Sequence, residues 1–358
     1  MENSNRIKNI HSRMDEIGID GLLIDSPENR YYLSGFTGSA GRILFTVQKD
    51  YFLTDFRYIE QVSEQTEGFE VREINKNFEI QLNELLQETG VKKLGIESKS
   101  ITYFQYLKYD DHIDTEIIPT HNLVEKLRMV KDKFELKMIQ KAVDITDQAF
   151  KYICRYIHPG LTERELALEL EFFLKKMGAE KNAFDFIVAS GQRSALPHGV
   201  ASDKLIEFGD FVTFDFGVFY QGYCSDMTRT VVIGEPTIEQ EKVYNIVLDA
   251  QLAVIEKIQA GMNCKDVDGI ARDIISESGY ADNFGHGLGH GIGLEIHEGP
   301  RLSFSSDEVL ETGMVVTDEP GIYIPEWGGV RIEDDLYITD EGCKVLNSSP
   351  KELLVINN

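Results

Sequence analysis

Residues 209–230 read GDFVTFDFGVFYQGYCSDMTRT, a run of aromatic and β-branched residues broken by Gln221-Gly222. A run of that kind, split by a glycine-containing two-residue turn, predicts a β-hairpin. Two acids stand inside it, Asp215 and Asp226. In an antiparallel pair joined by an even-length loop, positions whose numbers sum to an odd value share a face. Both carboxylates therefore point the same way. Bare carboxylates side by side within a sheet repel each other and resist ionisation. The pattern requires something positive between them, and a metal ion is the candidate.

Further ligands lie downstream. The segment FGHGLGHGIGLEIHEGP (Phe284–Pro300) holds His286, His290, His297 and Glu298. It is too rich in glycine for a helix, so His286 and His290 are not a helical zinc pair, and it does not match the phosphate-cradling GxGxxG pattern. TDEPGIY (Thr317–Tyr323) puts Glu319 at the end of an apolar strand before a Pro-Gly turn, and GGVRIEDDLYI (Gly328–Ile338) embeds Glu333 in a strand. Singly, each has an ordinary reading as a hydrogen-bonded structural histidine or a paired buried acid, with Asp334 and Asp335 facing water. Together, an Asp, Asp, His, Glu, Glu series on strands reads as a metal centre. Arg331, two positions before Glu333, shares its face and either orients a ligand carboxylate or contacts substrate. Tyr323 and Trp327 either wall a pocket or fill a core. Cys224 reads as packing, and the chain contains no GxSxG nucleophile motif.

Around this centre the chain divides at about residue 122, into 1–122 and 123–358. The first part alternates strand candidates (Gly21–Ile24, Arg42–Val47, Tyr51–Phe56, Phe69–Ile74, Lys93–Glu97) with helix candidates (Arg6–Ile17, Arg57–Gln65, Phe78–Glu88), an α/β pattern. Pro119 and the polar residues after it mark its end. The second part repeats itself at an offset of 101 residues, which aligns Ala149 with Ala250, Ile157 with Ile258, Gly160 with Gly261, Gly178 with Gly279 and Asn182 with Asn283. Each half reads helix, Gly stop, helix, Gly stop, strands. In the first, Thr162 and Glu165 form a capping box ahead of a face of Leu166, Leu170, Phe173 and Met177. The expectation is a pseudo-two-fold domain, its two strand sets in one sheet with helices outside.

Composition narrows the function. Of 358 residues, 36 are basic and 61 acidic, a net charge of −25. That disfavours nucleic acid and anionic membranes, which need basic patches. No apolar run approaches membrane-span length, and the N-terminus, MENSNRIKNIHSRMDEIGID, lacks the apolar core of a secretion signal. Four widely spaced cysteines without a CxxC pair suit a reducing cytoplasm.

GYCSDMTRT, the segment with His290 and His297, EPGIY and GGVRIED resemble the motifs of the pita-bread metallopeptidases, the family of methionine aminopeptidase, Xaa-Pro aminopeptidase (aminopeptidase P) and Xaa-Pro dipeptidase (prolidase). FTGSAG (Phe36–Gly41) and LTDFRY (Leu53–Tyr58) are similar to the extra N-terminal domain of aminopeptidase P, prolidase and creatinase. The resemblance implies a creatinase-like α/β domain followed by a pita-bread domain, a curved antiparallel sheet with outer helices. It implies two divalent cations per chain, Mn²⁺ above Co²⁺ or Zn²⁺. Asp215 would chelate one ion, Asp226 and Glu333 would bridge both, and His290 and Glu319 would complete the second. Ions about 3.5–4 Å apart can share a hydroxide and polarise a carbonyl. His198, in LPHG, and His297 match the family's non-ligand histidines, which bind the scissile carbonyl and the oxyanion or relay protons. Glu319 and Arg331 join them as catalytic candidates, with His198, His297, Tyr323 and Arg331 contacting substrate. Asp318 stands where many relatives carry an apolar residue, and on a strand it faces away from the metals. The implied reaction is cleavage of the bond between an N-terminal residue and a following proline, in dipeptides, longer peptides or both, by a homodimer whose FTGSAG segments approach the partner's active site. Two alternatives stand beside it. A metal-free binding module would have lost the ligand set, and a creatinase-like amidinohydrolase would work without metal.

Overall fold

A computed structural model describes residues 3–357. The chain forms two compact units that meet between Arg128 and Met129. In the first, a six-stranded mixed sheet runs in the order Glu70–Glu73, Tyr51–Thr54, Arg42–Thr46, Gly21–Ile24, Lys93–Glu97, Glu116–Thr120. Leu23, Leu44, Leu53, Leu94 and Ile96 bury the sheet against Leu82, Leu85 and Leu86 of helix Phe78–Thr89. Three helices and a strand were not evident in the sequence, the shortest helix being the single turn Glu125–Arg128. Helix Pro27–Ser34 starts with proline in its first turn and Ser26 as cap, but it carries no apolar stripe. Its buried residues mix adjacent Tyr32 and Leu33 with polar groups: Asn29 donates to Glu97 Oε1 (2.6 Å) and Arg30 to the Gly41 and Gly38 carbonyls (2.6 and 2.9 Å). Helix Tyr103–His112 buries only Tyr109. Strand Glu116–Thr120 contains Pro119, and it sits at the sheet edge, where a missing N–H is tolerated. Phe36 of FTGSAG is buried against Phe52 and Tyr58, with ring centroids 4.9 and 5.8 Å away. Its replacement would therefore first disturb the packing of this unit.

The second unit is a duplication. Helices Glu163–Lys176 and Cys264–Glu277 have the same length and start 101 residues apart, and the helices before them, Lys133–Tyr156 and Ile238–Lys257, end 101 apart. The backbone repeats with them. Ile157 and Ile258 leave their helices at φ −62°, ψ 133° and φ −64°, ψ 129°. Gly160 and Gly261 sit at φ 92° and 87°, and Gly178 and Gly279 at 102° and 90°, conformations that glycine adopts without steric cost. Each half has its own core: Leu166, Leu170 and Leu174 pack under Val212, Phe214 and Phe216 in the first, and Val243, Val247 and Val254 under Val316, Leu336 and Ile338 in the second. Leu174 takes the place expected of Met177, which lies beyond the helix end and is exposed.

The strand sets do not form one ladder. Three strands of the first half and the C-terminal strand Leu354–Ile356 make a four-stranded sheet ordered Leu354–Ile356, Met227–Ile233, Phe211–Phe216, Ile187–Ser190. The second contributes a five-stranded sheet ordered Glu298–Leu302, Gly289–Gly291, Val315–Asp318, Asp334–Thr339, Gly342–Val345. They meet beside the hairpin, where Glu333 N donates to Thr228 O (3.0 Å). One turn further, the Thr230 hydroxyl stands in for ladder bonds, accepting from Arg331 N (3.2 Å) and donating to Arg331 O (3.0 Å).

Candidate metal centre

The hairpin has the expected register, with Asp215 opposite Thr228 and Tyr220 opposite Tyr223. Gln221 and Gly222 both have positive φ, 47° and 79°, as a two-residue I′-type connection demands. The ladder breaks at Gly217, where a side chain would come within 2.0 Å of Ser225 O. Asp226 lies in that break, two residues before Thr228, so it shares the face of Asp215.

His290 arrives from the other half on the strand Gly289–Gly291. The flanking glycines are required by close approach: a Cβ on Gly289 would lie 2.1 Å from Thr317 O, and one on Gly291 would lie 2.0 Å from Gly299 O. Glu319 follows strand Val315–Asp318, and Glu333 sits between strands Gly328–Arg331 and Asp334–Thr339. One donor atom each from Asp226, His290 and Glu333 lies within 4.8 Å of the others, close enough to hold a single cation. His290 Nε2 is 3.8 Å from Asp226 Oδ2 and 3.5 Å from Glu319 Oε1.

Surrounding groups fix these side chains. Arg331, buried, donates through Nη2 to Asp215 Oδ2 (2.6 Å), Nη1 to Tyr323 Oη (2.8 Å) and Nε to Thr228 Oγ1 (3.0 Å). Because arginine can only donate, the Thr228 hydroxyl directs its own hydrogen to Glu333 Oε2 (2.6 Å). By the same logic Tyr323 donates to His286 Nε2 (2.9 Å), and His286 Nδ1–H to Gly287 O (2.8 Å). Arg331 thus orients an acid of the centre directly, one of the two readings the sequence left open. Asp334 and Asp335, expected at the surface, are fully buried. Asp334 accepts from Arg229, Gln251 and Lys351, and Asp335 from Asp226 N (3.1 Å), so both brace the centre from behind.

The electrostatics favour a cation. Burial, reinforced by Asp215, Asp335 and Glu319, pushes Asp226 well above the usual carboxylate range. Burial with Asp226, Glu319 and Asp215 does the same to Glu333. Glu319 is pushed up to about 8, chiefly by burial, and Asp215 is raised by burial against the pull of Arg331. Burial, then His297, lowers His290 to about 3, leaving a neutral imidazole, the ligating form. Asp215 Oδ1 and Asp226 Oδ1 are buried with no hydrogen-bond partner among the described residues. Unpaired buried carboxylate oxygens beside a neutral imidazole fit divalent cations.

The centre opens into a cleft of about 920 Å³ lined by His198, His286, His297, Arg301 and Tyr323, with Phe184, Ile187, Pro197 and Val200 as its apolar part. His297 stacks edge-on near His290, with rings 4.3 Å apart. Trp327 does not line this cleft; it packs on Phe211 at 5.9 Å. Cys224 is fully buried, and burial pushes its thiol far up. Arg301, Thr228 and Phe184 were not singled out in the sequence, since each is an isolated residue without periodicity.

Residues 137–340 match metallopeptidase family M24, and residues 6–130 match the creatinase/prolidase N-terminal domain. The Xaa-Pro dipeptidase of Pyrococcus horikoshii is 43% identical, with 98% of each chain covered. An uncharacterized peptidase of Bacillus subtilis is 48% identical over 98% of this chain and 100% of that one. Among solved structures, an Xaa-Pro dipeptidase from Bacillus anthracis is 50% identical with a TM-score of 0.97, covering 99% of this chain and 100% of that chain. An X-Pro aminopeptidase from Thermotoga maritima is 42% identical with a TM-score of 0.90, covering 96% and 100%. With its duplicated frame, its buried cluster of acids around one imidazole and these relatives, the chain belongs to metallopeptidase family M24 and carries the creatinase/prolidase N-terminal domain ahead of the peptidase domain.

Proposed function

We propose that this protein hydrolyses the bond between an N-terminal residue and a following proline. The observation that carries the reading is the pair of unpartnered buried oxygens, Asp215 Oδ1 and Asp226 Oδ1, in a cleft that also holds a neutral His290. Asp215, Asp226, His290, Glu319 and Glu333 would hold two divalent cations, with Asp226 and Glu333 shared. Carboxylate oxygens around a single nitrogen suit Mn²⁺ ahead of Zn²⁺. When bound, such ions activate water and polarise a carbonyl.

The chain's own groups supply the rest. His198 and His297, at the rim and wall of the cleft, hydrogen-bond the scissile carbonyl and the oxyanion that develops from it. Arg331 and Tyr323 keep Asp215 oriented and contact substrate. Glu319 carries a proton to the leaving nitrogen, which in proline has no hydrogen of its own. Phe184, Ile187 and Val200 give the pyrrolidine ring an apolar wall. The protein acts as a homodimer in the cytoplasm; its four free cysteines agree with a reducing compartment.

The test is a panel of Xaa-Pro dipeptides against Xaa-Pro-Xaa tripeptides, with and without Mn²⁺. Turnover with Mn²⁺, lost on chelation and lost in a folded Glu333→Ala variant, is the expected result. The length preference within the panel tells dipeptidase from aminopeptidase. Undiminished cleavage after rigorous chelation defeats the reading.

A further inference from the structure

We infer that Glu163 is the positioning residue of His198, holding the segment 190–202 that carries this histidine at the rim of the cleft. The inference rests on the role proposed above for His198.

Glu163 is the first residue of helix Glu163–Lys176 and fully buried, yet the helix does not need it as a cap. Thr162 and Glu165 already satisfy that end reciprocally. Its carboxylate is committed elsewhere. Oε1 accepts from Ser190 N (2.7 Å) and Ser190 Oγ (2.9 Å), and Oε2 accepts from Ser202 N (3.0 Å) and Ser202 Oγ (2.6 Å). Arg193 Nε reaches both oxygens, at 3.3 and 3.0 Å. One buried group thus takes one end of the segment on each oxygen. Across the segment Arg193 Nη2 donates to Val200 O (2.7 Å), and Arg331 Nη1 donates to Pro197 O (3.2 Å) beside His198. His198 is exposed to the cleft; its carbonyl accepts from Val200 N (2.9 Å), and its imidazole has no hydrogen bond among the described residues, so the frame is what places it.

The duplication supplies an internal control. At the equivalent position the second half carries Cys264. The main-chain frame is the same in both: Glu163 N donates to Lys204 O (3.1 Å) as Cys264 N does to Glu308 O (2.9 Å), and Gly160 N to Ile206 O (2.9 Å) as Gly261 N to Leu310 O (2.8 Å). The frame therefore forms without a carboxylate. The first half alone has one, and it accepts hydrogen bonds from side chains and main chain of Ser190, Arg193 and Ser202 in the segment that carries His198, which ties Glu163 to that segment and not to the shared frame.

Glu163→Gln keeps the volume but replaces one accepting oxygen with a donating nitrogen, so one end of the segment loses its anchor. On Ala-Pro with Mn²⁺ we expect kcat to fall about tenfold to a hundredfold, as for loss of a substrate-polarising donor, with Mn²⁺ bound per chain unchanged. The Glu163→Gln/His198→Ala double variant should be no slower than His198→Ala alone, because both act through one group. Trypsin should nick Glu163→Gln after Arg193 several-fold faster than the wild type, reading the segment without reference to catalysis. Ser202→Ala, which leaves the buried carboxylate in place, should move each readout in the same direction by less. Multiplying losses in the double variant, or wild-type kcat with wild-type trypsin resistance in Glu163→Gln, would overturn the inference. If the wild type cleaves no Xaa-Pro substrate, the functional reading falls instead, and the trypsin comparison alone decides whether Glu163 holds the segment.

Discussion

Asp318 and Glu319 are neighbours with opposite situations. Glu319 reaches the cleft, where His290 and the Thr317 hydroxyl (3.2 Å) approach it. Asp318 pairs across the ladder with Asp334 and is fully buried, and neither of its oxygens has a hydrogen-bond partner among the described residues. Burial, then Asp334, pushes its carboxyl well above the usual range, which favours the protonated form. A buried polar group without a partner costs on the order of 1–3 kcal/mol. Replacing it with an apolar residue of similar size should recover much of that. Asp318→Val is therefore expected to raise stability by about 1–2 kcal/mol in urea unfolding and to leave kcat unchanged, since the side chain lies on the face away from the cleft. A destabilised Asp318→Val would mean that the carboxyl has a partner, such as a buried water, and the account of it would be wrong.

Among elements, the strand Gly289–Gly291 shows how the backbone places an imidazole. Its register slips between His290 and Gly291, and the neighbouring chain crosses so close that a single methyl on Gly291 would need 2.0 Å of space from Gly299 O. Gly291→Ala must push that crossing apart and carry His290 with it. We expect a folded protein that binds Mn²⁺ at least tenfold more weakly, read by calorimetry. Gly269→Ala, on an open face of helix Cys264–Glu277, should gain about 0.5–1 kcal/mol of stability. Equal Mn²⁺ affinity in Gly291→Ala and wild type would remove the steric argument. The hairpin and the duplicated helix pairs were legible in the sequence because their signals are local: a Gln-Gly turn, capping boxes, helix-ending glycines at a fixed offset. Helix Pro27–Ser34 was not, because its buried Tyr32 and Leu33 are adjacent and make no helical period, while Asn29 and Arg30 are buried through hydrogen bonds to Glu97 and to loop carbonyls. The role of Thr228 and the burial of Asp334 and Asp335, which the sequence placed in water, were not legible for a related reason. Their roles depend on pairs more than a hundred residues apart, or on a buried arginine, and no window of sequence contains both partners.

At the scale of the whole molecule, the centre joins the two duplicated halves, so what it holds bears on stability as well as chemistry. Asp215 and Asp226 come from one half, and His290, Glu319 and Glu333 from the other. Without cations, the sign of the linkage follows from raised carboxyl pKa values. Each group holds its proton to higher pH in the folded chain than in the unfolded one, where it is lost near pH 4, so the stability it confers is complete below about pH 4 and lost as pH rises through the folded pKa, about 8 for Glu319. Cations require the ionised carboxylates, so their affinity rises over that same interval. The metal-free protein should therefore lose thermal stability from pH 5 to pH 8, while the increment from added Mn²⁺ grows. At a hundredfold excess over Kd the increment is about 2.7 kcal/mol, some 5–10 °C in Tm for a unit of this size. Scanning calorimetry of chelated and Mn²⁺-loaded protein across that range reads both trends. A Mn²⁺ increment that does not change with pH, or one that persists in Asp226→Ala, would show that the ion stabilises the protein from somewhere other than this cluster of acids.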